Sequence, residues 1–299
     1  MKLHRLGPII THDMLHDLGM RYAAVPFATQ INGTHYRIFF SSRDQYNQSY
    51  GSYLDYDIQE LKIIIPPPKK PLIIHGSIGY FDDSGVTISC YLKELNALYY
   101  MGWNLMRKVP FSNQIGKLEL NPKEDSVHRT RKTPVLGKCE LEPLSFGYPW
   151  VLKTKDKYKM WYDTILKWES NSTSNYKFIL RSALSNDGVN WHKTYKQNFP
   201  LHHQEKSIAR PCIIFEDNIY KMWCSVNYLG KYRLCYAESI DGDNWQRMDN
   251  SIIWKGKKQN WESTEQSYPF LIQNNMSQFL LYNGNDYGKS GFGICRVEV

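Results

Sequence analysis

The sequence predicts an all-β fold, a five-bladed β-propeller, and two observations carry this prediction. First, the phrase Tyr-Lys-Met-Trp occurs twice, at Tyr158–Trp161 and Tyr220–Trp223, each time nine residues after a proline. Second, aligning the chain on this phrase reveals three weaker copies, at steps of 58 to 62 residues. The five aromatic runs are Tyr36–Phe40, Asn96–Tyr100, Tyr158–Tyr162, Tyr220–Cys224 and Gln278–Tyr282. Near-constant spacing of this kind is the signature of a repeat architecture.

Each aromatic run is flanked by further short runs that are rich in Tyr, Ile, Val and Trp. Turn residues separate the runs, as at Asn32-Gly33, Asp187-Gly188 and Asp241-Gly242, where Gly and Asn supply the positive φ that tight hairpins need. A preceding strand is expected to share one register, marked by Pro26, Thr87, Pro149, Pro211 and Pro269. Third strands are expected at Gly51–Ile58, Gln114–Leu120, Tyr176–Ser185, Tyr232–Ser239 and Gly291–Val299. No helix long enough to organise a domain is predicted.

All 299 residues are predicted to form a single domain. The blades are expected near residues 20–65, 80–125, 145–195, 205–255 and 262–299. Leu3–Ile10 lies outside these units, so we expect it to add the outer strand of the last blade and close the ring. Radial repetition would leave few sheet edges exposed.

The composition of the chain limits the functions that it can have. No apolar run approaches the roughly 18 residues needed to span a bilayer. The N-terminus is too polar for a signal peptide, so a cytoplasmic location is expected. The net charge of +8 comes largely from short loop clusters without a nucleic-acid motif, so no nucleic-acid partner is expected. The six cysteines form no CxxC pair, which favours free, mostly buried thiols. The oligomeric state is not predicted.

The candidate site is the axis of the predicted propeller, where the innermost strands converge. Polar and aromatic residues concentrate in the loops that enter these strands and at the tails of the aromatic strands. The aromatic content is 14%, and aromatic faces pack on the apolar faces of sugar rings. Such an aromatic content is typical of β-rich folds and of sugar-binding surfaces alike.

Several motifs resemble a known family. They are Phe81–Val86, Tyr100–Asn104, Ile208–Pro211, Tyr236–Ser239 and Tyr282–Gly293. Together with the blade pattern, they are similar to the five-bladed propellers of glycoside hydrolase families 43, 32, 68 and 130, and most of all to an uncharacterised glycosidase-like subgroup. The resemblance implies a carbohydrate-active enzyme that cleaves or transfers a glycosyl group, with a carbohydrate or sugar-phosphate ligand as its partner.

The resemblance does not transfer the catalytic residues by position. Family 43 enzymes carry carboxylates next to the inner-strand register position, whereas this chain has Val25, Val86, Tyr148, Arg210 and Tyr268 there. Glycosidic cleavage still requires two carboxyl groups. We therefore expect Asp83 as base or nucleophile and Glu265 as acid, with Asp82 as a supporting charge. The alternative is that Asp82 and Asp83 cap backbone amides of their loop.

Substrate binding is expected from charged, polar and aromatic residues around the axis. They are Arg43, Asp44, Trp103, Asn104, Tyr148, Arg210, Tyr268, Asn283 and Asn285. Arg210 and Arg43 would suit an acidic or phosphorylated sugar by bidentate contact. The alternative for Arg210 is that it neutralises Asp83 or Glu265. Two rival functions stay open, a glycoside phosphorylase and a non-catalytic, lectin-like propeller.

Two further motifs are expected to be structural. Ser185–Trp191 and Ser239–Trp245 resemble the Asp-box turns of sialidases, and Trp161 and Trp223 are expected in the core. The nine histidines have no metal-binding spacing, so no metal site or cofactor is predicted. A structural cation on the propeller axis stays open.

Overall fold

The computed structural model describes residues 1–121, 126–168, 176–196, 199–274 and 277–298. These residues form antiparallel strand groups and very little helix, as the sequence predicts. The first group is β2 (Ala24–Asn32), β3 (His35–Arg43), β4 (Ser49–Asp57) and β5 (Lys62–Ile65). The second is β6 (Gly85–Leu92), β7 (Ala97–Leu105), β8 (Phe111–Asn121) and β9 (Ser126–His128). The predicted end of this second unit, near residue 125, lies outside the described residues.

The other groups follow the same order. The third is β10 (Ser145–Lys153), β11 (Tyr158–Trp168), β12 (Tyr176–Ser185) and β13 (His192–Lys193). The fourth is β14 (Glu205–Glu216), β15 (Ile219–Tyr228), β16 (Lys231–Ser239) and β17 (Gln246–Arg247). The last contains β1 (Lys2–Thr11), β18 (Ile253–Lys255), β19 (Ser267–Asn274), β20 (Ser277–Asn283) and β21 (Gly291–Glu298). Two short helices, α1 (His12–Asp17) and α2 (Asn285–Gly288), and single 3₁₀ turns at Lys93–Leu95, Asp249–Ser251 and Asn260–Glu262 complete the described elements.

The first two groups form one eight-stranded sheet, but they are joined only by the parallel pair Ser49–Gly85. The N-terminal strand β1 pairs antiparallel with β21, so the first and last parts of the chain share a sheet. The leading strands of successive groups also contact one another. β2 contacts β6, β6 contacts β10, β10 contacts β14, β14 contacts β19, and β19 contacts β2.

The predicted aromatic runs lie in β3, β7, β11, β15 and β20, which we call the second strands of their groups; Asn96 directly precedes β7. Side chains on both faces of these runs are buried. Trp161 and Trp223 are 0% and 2% exposed, which confirms that they belong to the core. The indole N–H of Trp161 donates to the carbonyl of Gly242 (2.8 Å), and the Tyr99 hydroxyl donates to that of Gly188 (2.7 Å). The two Asp-Gly turns therefore join neighbouring strand groups, as expected of structural turns.

The register of the second unit differs from the predicted one. A one-residue β-bulge at the same place in β2, β10, β14 and β19 carries Pro26, Pro149, Pro211 and Pro269. In β6 this bulge falls between Ile88 and Cys90. Ser89, and not Thr87, is thus equivalent to the prolines, and Ile88 replaces Val86 as the preceding residue. Three residues of β6 follow Ser89, compared with four to six after the prolines of β2, β10, β14 and β19, so the bulge of β6 lies closer to its hairpin turn.

The cysteine prediction is confirmed: all six are free and five are buried, with Cys139 partly exposed. Within the described residues, no helix has both the length and the apolar character needed to cross a membrane.

Candidate functional site

A pocket of about 410 Å³ opens at the end of the strand groups where the second strands end and the third strands begin. Because neighbouring strands are antiparallel, these ends and starts gather at one side of the molecule. The lining residues are Arg43, Met101, Trp103, Phe111, Asn113, Tyr148, Tyr176, Phe178, Gly230, Lys231, Tyr232, Glu265, Tyr268, Asp286 and Tyr287.

Two other cavities, of about 370 and 670 Å³, lie nearer the opposite ends of the strands. The smaller is lined by no carboxylate among the described residues. The carboxylate of the larger, Asp55, forms a two-point ion pair with Arg37 at 2.8 and 3.1 Å. The 410 Å³ pocket differs, because its buried carboxylate, Glu265, has no ion-pair partner in the described parts of the chain. We take it as the candidate site.

The β-bulges direct side chains into this pocket. Tyr148 and Tyr268 occupy the bulges of β10 and β19 with φ of 37° and 52°, in the left-handed region that is unfavourable for non-glycine residues. Val25 and Arg210 take the same conformation in β2 and β14, with φ of 56° and 57°. Backbone strain that recurs at equivalent positions around a pocket is typical of functional sites.

Side chains from the tails of the second strands hold the bulged residues in place. Ser41 accepts a hydrogen bond from the N–H of Ile88 (3.0 Å), and Ser225 accepts one from Tyr268 (2.7 Å). Asn283 accepts from Val25 (2.8 Å) and donates to the carbonyl of Ala23 (2.6 Å). Asn283, expected to bind substrate, is fully buried and instead fixes the backbone beside the pocket.

Four tyrosines form the aromatic wall of the pocket. The ring of Tyr268 lies 5.4 Å from Tyr148, 5.6 Å from Tyr232 and 5.2 Å from Tyr287. The Tyr148 hydroxyl donates to that of Tyr287 (3.3 Å). Burial raises the pKa of Tyr148, Tyr232 and Tyr268, so their hydroxyls stay protonated at neutral pH. Tyr148 and Tyr268, two of the predicted stacking platforms, both line the pocket.

Glu265 is 6% exposed and is oriented by main-chain amides. One of its carboxylate oxygens accepts from the N–H of Tyr232 (3.0 Å) and the other from the N–H of Asp286 (2.7 Å). Asn285 accepts hydrogen bonds from the N–H groups of Thr264 (2.8 Å) and Glu265 (3.1 Å), so this predicted site residue positions the loop of Glu265. The two amide donors hold the carboxylate in one orientation at the pocket wall.

Cationic and aromatic side chains meet at the rim. The guanidinium of Arg43 lies 5.3 Å from the ring of Trp103, 5.7 Å from Tyr22 and 5.8 Å from Tyr287. Lys231 lies 3.3 Å from the carboxylate of Asp286. Arg43 and Trp103, both predicted, therefore share the pocket with two charged residues that the sequence analysis did not select.

Asp82 lies outside the pocket. It is fully buried, forms an ion pair with Arg129 (2.8 Å) and accepts a hydrogen bond from the Tyr100 hydroxyl (2.9 Å). Burial first, and the Asp82 charge second, raise the pKa of Tyr100. Asp82 therefore supports the fold under its loop and has no contact with the pocket of Glu265.

Asp83 also lies outside the pocket and caps its own loop. It accepts hydrogen bonds from the Asn104 amide (2.6 Å), the Gly79 N–H (3.0 Å) and the Ser84 hydroxyl (3.1 Å). Partial burial raises the pKa of Asp83, but these hydrogen bonds outweigh burial and leave it below the ordinary value. Asp44 caps the β3–β4 loop in the same way, through Tyr46 and Gln48. The structure thus does not bring the expected pair, Asp83 and Glu265, into one pocket.

Arg210 lies beneath the site. It is fully buried, its Nη2 donates to the carbonyl of Pro26 (3.4 Å), and its guanidinium lies 5.4 Å from the Trp150 ring. Burial lowers the pKa of Arg210 and raises that of Asp163, the nearby carboxylate at the tail of β11. The backbone N–H of Arg210 lowers the pKa of Asp163 and so counters part of the effect of burial. Its geometry towards the carboxylate falls short of a good hydrogen bond. Arg210 therefore acts on the pKa of Asp163. The alternative role, in which it neutralises Asp83 or Glu265, does not match this arrangement.

Five of the lining residues that the sequence analysis did not select share one origin. Phe111, Asn113, Tyr176, Phe178 and Tyr232 are at the starts of third strands. The expectation considered only the loops before the first strands and the tails of the second. An antiparallel meander brings the start of the third strand to the same end, and this signal was available in the predicted third strands.

No cluster of three or more His, Cys, Asp or Glu side chains that could hold a metal ion occurs among the described residues.

Solved structures share the fold over nearly the whole chain. A structure described as a glycoside hydrolase has a TM-score of 0.71 at 13% identity, covering 96% of this chain and 94% of its own. A thermostable family-43 glycoside hydrolase has a TM-score of 0.67 at 12% identity, covering 94% and 90%. The β-1,2-mannobiose phosphorylase from Listeria innocua, in complex with β-1,2-mannobiose, has a TM-score of 0.67 at 9% identity, covering 100% and 97%. The fold is therefore that of the propeller glycosidases, and the predicted resemblance to family 43 and related enzymes is confirmed.

Sequence relatives give the family. No protein-family model matches the chain. Two Mycobacterium tuberculosis proteins, "Uncharacterized protein MT1551" of strain CDC 1551 / Oshkosh and "Uncharacterized protein Rv1502" of strain ATCC 25618 / H37Rv, are each 32% identical to it over 301 residues. Each alignment covers 100% of both proteins. The chain belongs to the same family as these two mycobacterial proteins.

Proposed function

We propose that this protein is a carbohydrate-active, glycosidase-like enzyme that binds a glycan in the pocket around Glu265. One observation carries the proposal: a buried carboxylate, held by two main-chain amides, faces a pocket whose wall is four tyrosines. Aromatic faces suit the C–H faces of a pyranose, and a fixed carboxylate suits a base, a nucleophile or the stabilisation of an oxocarbenium-like transition state. The structural neighbours add support, because they include glycoside hydrolases and a phosphorylase.

A ring of five blades would explain why the site forms where it does. The leading strands β2, β6, β10, β14 and β19 contact one another in cyclic order. Hydrogen bonds from bulged residues to Ser41, Ser225 and Asn283 follow the same order, each joining one group to the next. These contacts support a single domain over residues 1–299, with the pocket at one mouth of its axis.

We assign Glu265 as one catalytic carboxyl group and Asp286 as the second, in place of Asp83. Both line the pocket, and the N–H of Asp286 donates to Glu265. The Asp286 carboxylate is 64% exposed beside Lys231, so it can exchange protons with solvent while Glu265 stays fixed. Two carboxyl groups on one pocket wall meet the minimum requirement of glycosidic cleavage.

The cationic side chains at the rim of the pocket favour an anionic ligand. This makes the proposal more specific, because it narrows the expected class of glycan. Arg43 and Lys231 both line the pocket, and either could neutralise a sugar carboxylate or a phosphate. Inorganic phosphate as co-substrate would make the reaction a phosphorolysis. Turnover that depends on added phosphate distinguishes this case from hydrolysis.

The test is a thermal-shift screen of neutral, acidic and phosphorylated sugars, followed by turnover assays on the sugars that bind. A ligand that binds only the folded state raises the melting temperature. We expect at least one sugar to do so, and we expect Glu265→Gln to keep this binding but lose turnover. Glu94→Gln, at an exposed position in the β6–β7 hairpin, is the matched control and should behave as wild type.

Two results would contradict the proposal. If no sugar in any class shifts the melting temperature, the pocket is not a glycan site. If sugars bind but neither hydrolysis nor phosphorolysis of any bound glycan is detected, the protein is a lectin-like module.

A further inference from the structure

Three loops lie side by side at the pocket end of the first two strand groups. They are residues 44–48, 77–84 and 105–110, and the first and third begin where β3 and β7 end. Each presents apolar side chains to solvent. Tyr46 is 76% exposed, Ile78 98%, Leu105 73% and Met106 43%. We call these four residues the apolar rim.

The apolar rim is held in place by hydrogen bonds among the loops. Ser49, directly after the first loop, donates its N–H to the carbonyl of Ser84 (3.4 Å). Leu105 donates its N–H to the Ser84 hydroxyl (2.9 Å), and Asn104 donates to the Asp83 carboxylate (2.6 Å). Asp83 and Asn104 thus tie together the loops that carry Ile78 and Leu105. The exposure of these side chains is part of a fixed arrangement.

The charges of the three loops favour one kind of partner. Arg107 and Lys108 are exposed next to Leu105 and Met106. The acidic residues of the same loops already have partners within the protein. Asp82 is buried against Arg129, and Asp44 and Asp83 accept hydrogen bonds from backbone amides. Asp44 and Asp83 keep their negative charge but are partly buried, so the most exposed charged side chains of these loops are the cations Arg107 and Lys108. Apolar side chains interspersed with cations are suited to the boundary between lipid headgroups and acyl chains.

We propose that the apolar rim docks the protein on an anionic lipid surface, with Ile78 and Leu105 inserted among the headgroups and Arg107 and Lys108 against lipid phosphates. Scattered exposed apolar residues need no explanation, but four on three mutually bonded loops at one end of the molecule form a patch. The net charge of +8 adds a long-range attraction to such a surface.

Docking would bring the pocket next to the lipid surface, because Arg43 of the pocket directly precedes the first loop and Trp103 lies two residues before the third. Resting on the proposed function, this placement favours a glycan that is itself attached to a lipid. Docking does not depend on the identity of that glycan, so the two ideas can fail separately.

The test is co-sedimentation of the full chain with vesicles that contain no sugar. We expect wild type to sediment with phosphatidylcholine vesicles that include phosphatidylglycerol, to bind pure phosphatidylcholine far more weakly, and to be released by salt. The double variant Ile78→Ser/Leu105→Ser should weaken binding by roughly tenfold or more, since it removes the inserted apolar surface. Arg107→Glu/Lys108→Glu should weaken binding to the anionic vesicles by a similar factor, about tenfold.

The matched controls lie at the other end of the strands. Ile240 is 85% exposed in the turn after β16, so Ile240→Ser changes the same chemistry away from the rim. Lys155→Glu/Lys157→Glu does the same for charge in the β10–β11 hairpin. Both controls, and Glu265→Gln in the pocket, should bind vesicles as wild type does.

Three outcomes would overturn the proposal. Wild type that stays in the supernatant with anionic vesicles contradicts it directly. Equal binding by wild type and Ile78→Ser/Leu105→Ser would place the contact elsewhere. A dimer mass for wild type, reduced to a monomer in the same variant together with absent vesicle binding, would assign the rim to a second copy of the chain.

Discussion

The loops that enter β6 and β19 each carry two carboxylates, and one of the four borders the pocket. Asp82, before β6, is buried against Arg129, and Glu262, before β19, pairs in the same way with Arg5 (2.9 Å). Asp83 and Glu265 both accept main-chain N–H groups, but Asp83 is also held by the Asn104 side chain and lies outside the pocket, whereas Glu265 lines it. The repeat thus places a buried, paired carboxylate in both loops, and the surroundings of the second carboxylate decide whether it is available to a ligand.

The largest contrast between the two loops is expected in turnover. With a glycan that binds the pocket, Glu265→Gln should lower kcat by roughly a hundredfold or more, the range of a lost acid–base group. Asp83→Asn preserves the size of the side chain and should leave kcat within a few fold of wild type. Steady-state kinetics on both variants measures the contrast. If Asp83→Asn is the inactive variant and Glu265→Gln is active, the roles assigned to the two loops are reversed.

For stability the order should be reversed, with a larger effect at Asp82, in the loop before β6, than at Glu265. Asp82→Ala removes one partner of a largely buried ion pair and leaves Arg129 without its countercharge, at a cost of about 3 kcal/mol. Urea denaturation measures this free energy of unfolding. Asp17→Ala, at a carboxylate that is 84% exposed, is the control and should change stability by less than about 0.5 kcal/mol. A loss below about 1 kcal/mol for Asp82→Ala would mean that the pair adds little to the fold.

These differences mark what sequence can and cannot supply. The repeat fixes which residues lie in the aromatic strands, since copies at near-constant spacing align the same run of residues in each group. It does not reveal that Arg129, 47 residues along the chain, pairs with Asp82. Nor does it reveal that β6 is shorter beyond its bulge, which places Ser89 at the bulge. Tyr148 and Tyr268 were found because their prolines mark the bulges directly.

Strands β11 and β20 offer a second contrast, between Asp163 and Asn283. The two residues occupy equivalent positions, each directly after the aromatic run of its strand. Asn283 accepts a hydrogen bond from the N–H of Val25 (2.8 Å), whereas both oxygens of Asp163 lack a partner of good geometry among the described residues. Burial raises the pKa of Asp163 well above its ordinary value, so between the unfolded and the folded pKa the folded state holds a proton that the unfolded state has lost. This difference lowers stability as pH rises above the unfolded pKa of about 4.

Asp163→Asn should therefore be more stable than wild type at pH 7, since an amide can accept from Arg210 as Asn283 does from Val25. The stability advantage of the variant should shrink as the pH falls from 7 towards 4. At low pH the Asp163 carboxyl is protonated in the unfolded state as well, so wild type no longer loses stability through this group. Urea denaturation of both proteins over this range measures the difference. A variant that is less stable than wild type at pH 7 would show that Asp163 is ionised against Arg210.

The smallest expected effect concerns the two Asp-Gly turns, which use carboxylates as the loop of Asp83 does. Asp187 accepts from the N–H groups of Val189 (2.9 Å) and Asn190 (2.8 Å), and these bonds lower its pKa. A lowered pKa contributes stability above the unfolded value of about 4 that is lost as the pH falls below it. Asp187→Ala should cost about 1 kcal/mol at pH 7. Because protonation removes the same hydrogen bonds in wild type, the difference should narrow below pH 4. If it is constant with pH, the loss comes from packing of the turn against Tyr99 and not from the carboxylate.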